Sequence, residues 1–173
     1  MAKTHAELVE DAASWLKNTC RCGWVVKEYR SYANENPDAF GMTSMGSFLV
    51  ECKATRSDFL ADAKKFPRTH PGHCMGDYRF YFANPGIIDP EELPEGWGLV
   101  EAGEKRHRVI RWAAGYRPRW ERDIEPRLVL GFGGICNERK LMYSIIRRIA
   151  LRGLLEVAQE PAAALARGEK EGN

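Results

Sequence analysis

Apolar positions along the first stretch of chain recur at helical spacing. Leu8, Val9, Ala12, Ala13, Trp15 and Leu16 follow Thr4-His5-Ala6-Glu7, whose hydroxyl and carboxylate can satisfy the opening amides of a helix. This predicts a helix from His5 to Asn18. The pattern then shortens to strands. Gly23 to Tyr29 reads as a first strand, Ser31 to Pro37 as a polar loop, Phe40 to Met42 as a second strand, and Ser47 to Ala54 as a third. Three such strands joined by short links predict an antiparallel meander. Thr55-x-x-Asp58 opens a second helix, Ser57 to Phe66, with Phe59, Ala63 and Phe66 on one stripe and Pro67 as its stop.

Beyond a His-, Pro- and Gly-rich loop from Arg68 to Gly76, Tyr78, Phe80 and Phe82 alternate with Arg79 and Tyr81, the period of a strand. A proline-bearing connection, Pro85 to Gly96, leads to a fifth strand, Trp97 to Ala102. Leu141, Ile145 and Ile149, with Met142 and Ile146, mark a long helix from Asn137 to Val157, and Gly131-Phe132-Gly133-Gly134 before it reads as a turn. The expected fold class is α/β. A mixed central sheet carries the first helix on one face and the second on the other. Residues 1–160 are expected to form a single domain, with 161–173 a flexible tail.

One place breaks the apolar pattern in an informative way. Phe48-Leu49-Val50 is a core run, and it ends in Glu51-Cys52-Lys53. Glu51 and Lys53 are two residues apart, so on a strand they share a face. Asp38, thirteen residues before Glu51, can arrive from the neighbouring strand. Two carboxylates at one point suit a hard divalent cation, Mg²⁺ or Mn²⁺, held by oxygen. The Cys52 carbonyl is a third candidate ligand. The adjacent lysine can orient or activate a water for hydrolysis of a phosphodiester.

Composition sets limits rather than choosing. With 173 residues, 44% hydrophobic, 29% charged and a net charge of +2, the chain has the make-up of an ordinary globular domain. No apolar run approaches the ~18 residues of a membrane helix, and the first residues lack a signal peptide's apolar stretch, so a cytoplasmic protein is expected. Charge is unevenly distributed. Lys105 to Arg127 holds eight Lys or Arg against three acids, a local +5, with Trp112, Tyr116 and Trp120 interleaved. Arg111, Trp112, Arg117, Arg119 and Trp120 are therefore candidates for holding DNA through phosphates and stacked bases. Cys20, Cys22, His70, His73 and Cys74 offer zinc-ligand chemistry, but without paired C-x₂-C spacing, and free thiols are the expected state of the five cysteines.

Asp38…Glu51-x-Lys53 resembles the signature of the PD-(D/E)XK nuclease superfamily. Ala54 to Lys65, Asp77 to Pro85 and Pro94 to Ala102 resemble, in order, segments of bacterial MmcB-like DNA-repair proteins and related phage-encoded nucleases. Cys52 departs from the aliphatic residue usual between the acid and the lysine. The resemblance implies a restriction-endonuclease-like core and a metal-dependent DNA nuclease in DNA repair or phage DNA metabolism. DNA is then the partner, with a second copy of the chain or a repair or phage protein as a further one. It also suggests Glu10, on the first helix, as a supporting acid. Two alternatives stay open: a catalytically inactive DNA-binding module on the same fold, and a zinc-stabilised interaction module.

Overall fold

The computed structural model describes residues 2–116 and 132–155. Helix α1 (His5–Asn18) starts at a complete capping box, with Thr4 and Glu7 satisfying each other's backbone amides. Its buried stripe is Leu8, Val9, Ala12, Trp15 and Leu16. Six strands follow in a sheet whose spatial order is their order in the chain: β1 (Trp24–Lys27), β2 (Ala39–Met42), β3 (Ser47–Lys53), β4 (Tyr78–Ala83), β5 (Gly98–Glu101) and β6 (Arg108–Arg111). The first three form the expected antiparallel meander. β4 runs parallel to β3, β5 parallel to β4, and β6 turns back antiparallel. The fold is thus α/β, with a mixed central sheet flanked by helices.

The crossover from β3 to β4 carries α2 (Arg56–Asp62), capped reciprocally by Thr55 and Asp58, and the one-turn α3 (Phe66–Thr69). The second helix is therefore shorter than the apolar stripe predicts. The chain leaves α2 at Asp62 and restarts at Lys65, because Pro67 fits the first turn of a new helix. Strand β3 is buried along its whole length, as expected of a strand covered on both faces. Phe48, Val50 and Cys52 face α1 together with Phe80, Phe82 and Val100. Leu49 faces the other way, into a second core with Phe40, Phe59, Met75, Tyr81, Trp97 and Leu141.

Helix α4 (Phe132–Leu151) covers part of that second face. It begins at Phe132, five residues before the expected Asn137, so Gly133 and Gly134 are helical rather than a turn. The reason is close packing: a Cβ on Gly133 would lie 2.5 Å from His73 Nδ1 and 2.9 Å from the Gly72 carbonyl. Glycine here lets the helix start against the Pro71–His73 turn. Val157, the expected helix end, and the tail from 161 lie outside the described residues. Among the described residues no helix is long and apolar enough to cross a membrane.

Near the start of β3, Glu138 of α4 accepts from the Ser47 hydroxyl at 2.7 Å and the Gly76 amide at 2.8 Å. Burial pushes its carboxyl above the ordinary range, against the pull of those two donors. A raised folded-state value means the folded chain holds the proton more tightly than the unfolded chain. The resulting stabilisation is complete below the ordinary carboxylate range and is lost as pH rises through the folded value. Glu138→Gln should therefore flatten the fall in stability on raising pH from the ordinary carboxylate range. Chemical denaturation at several pH values checks this, and a parallel pair of curves would show that Glu138 titrates alike in both states.

Candidate active site

The sheet register carries Asp38 to Glu51. Ala39 pairs with Val50, so the preceding residue, Asp38, stands opposite Glu51, and directly opposed residues share a face. Asp38 is anchored there by its Oδ2, which accepts the Cys52 amide at 2.7 Å. Burial first, and the Glu51 charge second, push the Asp38 carboxyl above its usual range; the Cys52 amide, Lys53 and His5 pull the other way. His5 Nε2, at the start of α1, stands 3.6 Å from Asp38 Oδ1. The Cys52 side chain is buried on the α1 face, so only its main chain borders the site.

Glu51 does not stand alone. Lys53 Nζ is 3.0 Å from its Oε2 and 3.1 Å from Asp62 Oδ1. Lys65 Nζ spans the same two carboxylates, at 3.1 and 2.7 Å. Arg68, on α3, is the hub behind them. Its Nε donates to Asp62 Oδ2 at 2.7 Å, its Nη1 donates to Glu35 Oε1 at 2.5 Å, and its Nη2 lies 3.2 Å from Glu51 Oε1 without hydrogen-bond alignment. The guanidinium stacks over Trp97 at 4.4 Å. Tyr81 donates its hydroxyl to Asp62 at 2.7 Å, and the Met75 amide donates to Glu35 at 2.8 Å. Four acids (Glu35, Asp38, Glu51, Asp62) and three bases (Lys53, Lys65, Arg68) thus share one end of the sheet.

Burial and pairing pull these groups in opposite directions. Burial alone would raise Asp62, but Arg68 and Lys53 outweigh it and hold its carboxyl well below the usual range. Glu35 stays raised, because burial exceeds the help from Arg68. Burial would lower the Lys65 ammonium, yet Glu51 and Asp62 keep it above its ordinary value. Lys65 is also the loosest member, with 52% of its side chain exposed against 5% for Lys53.

The candidates from sequence divide clearly. Asp38, Glu51 and Lys53 are brought together. Glu10 is elsewhere: its carboxylate binds the Lys27 ammonium at 2.6 Å, on the exposed side of α1, the helix that covers the opposite face of the sheet. Trp112 is half-buried against the core rather than a free stacking surface. It packs on Trp15, Phe80 and Tyr116 within the α1-side core. Arg111 ends β6 and its Nε donates to the Trp97 carbonyl at 3.2 Å. Arg117, Arg119 and Trp120 lie outside the described residues. Cys20 and Cys22 are buried against α1, apart from Cys74, which neighbours Arg68 on the other face. Cys20, Cys22, Cys52 and Cys136 are free thiols, and among the described residues no three His, Cys, Asp or Glu side chains are set to enclose a metal ion.

Sequence reasoning missed Glu35, Asp62, Lys65 and Arg68. Asp62 had a usable signal: it sits three residues after Phe59, on the buried stripe of α2, where an acid needs a partner. Glu35 lies in an irregular loop and Arg68 on the one-turn α3, too short for a periodicity to read.

No family model matches the chain, and no curated protein matches it. Among solved structures, a protein of unknown function from Silicibacter pomeroyi, SPO1766, is similar in fold. Identity is 21%, the match covers 94% of this chain and 99% of that one, and the TM-score is 0.54. That likeness bears on the fold alone.

Proposed function

We propose that the chain is a metal-dependent DNA nuclease of the PD-(D/E)XK type, with its site at Asp38, Glu51 and Lys53. The observation that carries this reading is the register, which sets Asp38 opposite Glu51 with Lys53 on the same face. The connectivity supports it too: a helix, a three-strand meander, and a helical crossover to a parallel fourth strand are what a restriction-endonuclease-like core would require.

The donor set suits Mg²⁺ or Mn²⁺. Asp38 and Glu51 offer hard oxygen ligands, and two protein carboxylates with several waters are enough for an ion of this kind. Burial first, and like charge from Glu51 second, raise the Asp38 carboxyl, and a cation would relieve that repulsion. Entry requires Lys65 to leave Glu51, and its half-exposed side chain is free to swing outward. When bound, the ion would stabilise charge on the phosphate and acidify a water. The Lys53 ammonium has three donors, two of them spent on Glu51 and Asp62. The third can hold the attacking water in line with phosphorus. Asp62 and Arg68 keep that lysine and Glu51 in place. A cytoplasmic setting and a role in DNA repair or phage DNA metabolism belong to the same proposal.

The test is incubation of the purified chain with linear, nicked and branched DNA, with and without Mn²⁺. Metal-dependent cleavage of at least one form is expected. Binding without cleavage of any form would instead favour the inactive DNA-binding reading.

A further inference from the structure

A second cluster of cations lies away from the Glu51 site. A cavity of about 300 Å³ opens between the loop after β1 and the C-terminal half of α4, lined by Arg30, Ser31, Tyr32, Ser144, Arg147 and Arg148. We propose that this cavity binds a backbone phosphate of a nucleic-acid strand; its role as a substrate subsite rests on the nuclease reading above.

Among the described residues, the lining contains three guanidinium groups and no carboxylate. Gathered like charges repel unless an anion joins them, and guanidinium forks match phosphate oxygens. Arg148 is held in place: its Nη2 donates to the Arg30 carbonyl at 3.1 Å, and it stacks over the Tyr29 ring at 4.3 Å. That spends few of its five N–H donors. The Ser31 hydroxyl accepts the Ala33 amide at 3.1 Å, so its own proton remains to be donated. Arg147 and Arg148 also lie near the C-terminus of α4, where cations are favourable in any helix. That explains two arginines but neither Arg30 nor the missing acid.

Position links the cavity to the site. The Glu28 amide donates to the Asp38 carbonyl at 2.9 Å, and Arg30 is two residues further on. The same loop goes on to supply Glu35 to Arg68 and Asp38 to Glu51. A strand whose scissile phosphate sits at Glu51 can place a neighbouring phosphate here.

The test uses the full chain, a fluorescent single-stranded oligonucleotide and chelator in place of metal, so that binding is read without cleavage. Arg30→Ala with Arg147→Ala should weaken binding about tenfold and reduce the salt dependence of log Kd by roughly 0.7, the share of one single-strand phosphate. Arg30→Lys with Arg147→Lys should keep most of the salt dependence and lose part of the affinity. Both side chains are exposed, so thermal unfolding should match the wild type. An unchanged Kd and salt slope in the alanine double variant would overturn the proposal. So would inorganic phosphate competing as well, mole for mole, as the oligonucleotide, which would point to a free-anion site. If the wild type never cleaves DNA but its binding still depends on Arg30 and Arg147, the nuclease reading falls and the cavity assignment stands.

Discussion

Replacing Arg68 by methionine is expected to lower the free energy of unfolding by about 3–5 kcal/mol, the range for removing one partner of a buried ion cluster. Methionine keeps much of the length and packing of the side chain. It removes the one group that touches Glu35, Asp62 and Glu51 at once, all at most 3% exposed. Lys53 and Lys65 reach Glu51 and Asp62, so among the described residues Glu35 is the acid left with only the Met75 amide. Arg68→Lys should recover little, because an ammonium cannot span three carboxylates as a fork does. Urea denaturation with an unchanged slope and a lower midpoint is the expected result. A loss of about 1 kcal/mol or less, the level of an exposed pair, would mean that water reaches this cluster in solution.

The second large effect concerns Lys53. Lys53→Met should lower DNA cleavage by about 10²–10⁴-fold, the usual contribution of a positioned proton-transfer or water-orienting group. Folding should suffer less than in the Arg68 variant, because Lys65 still bridges Glu51 and Asp62. Oligonucleotide binding should stay near the wild-type level. A variant that cleaves normally would remove Lys53 from the chemistry and leave it as a structural cation only.

These two residues also show what the sequence could and could not convey. α1 was legible to the residue because Thr4 and Glu7 mark its start and the apolar stripe spans its length. The meander followed from period-two patterns and from Phe48-Leu49-Val50. β6 was not legible: Val109 and Ile110 sit between Arg108 and Arg111, and the basic run around them reads as a nucleic-acid surface. On an edge strand such charges cost nothing and discourage stray pairing. For the site, Asp38, Glu51 and Lys53 stood out because charges ended a core strand. Arg68 and Glu35 did not, because their burial depends on how α3 and the loop before β2 fold back onto β3. Trp112 misled for a related reason. An aromatic residue among arginines looks exposed, yet this one closes the core beneath Trp15.

The most direct measurement is the rate of DNA cleavage with Mn²⁺ by the wild type, Lys53→Met and Glu51→Gln, purified in parallel and shown to be folded. The expected result is cleavage by the wild type that vanishes with chelator and is lost in both variants. Equal cleavage by all three preparations, or none by a folded wild type on any DNA form, would contradict the assignment of Asp38, Glu51 and Lys53 as a nuclease site.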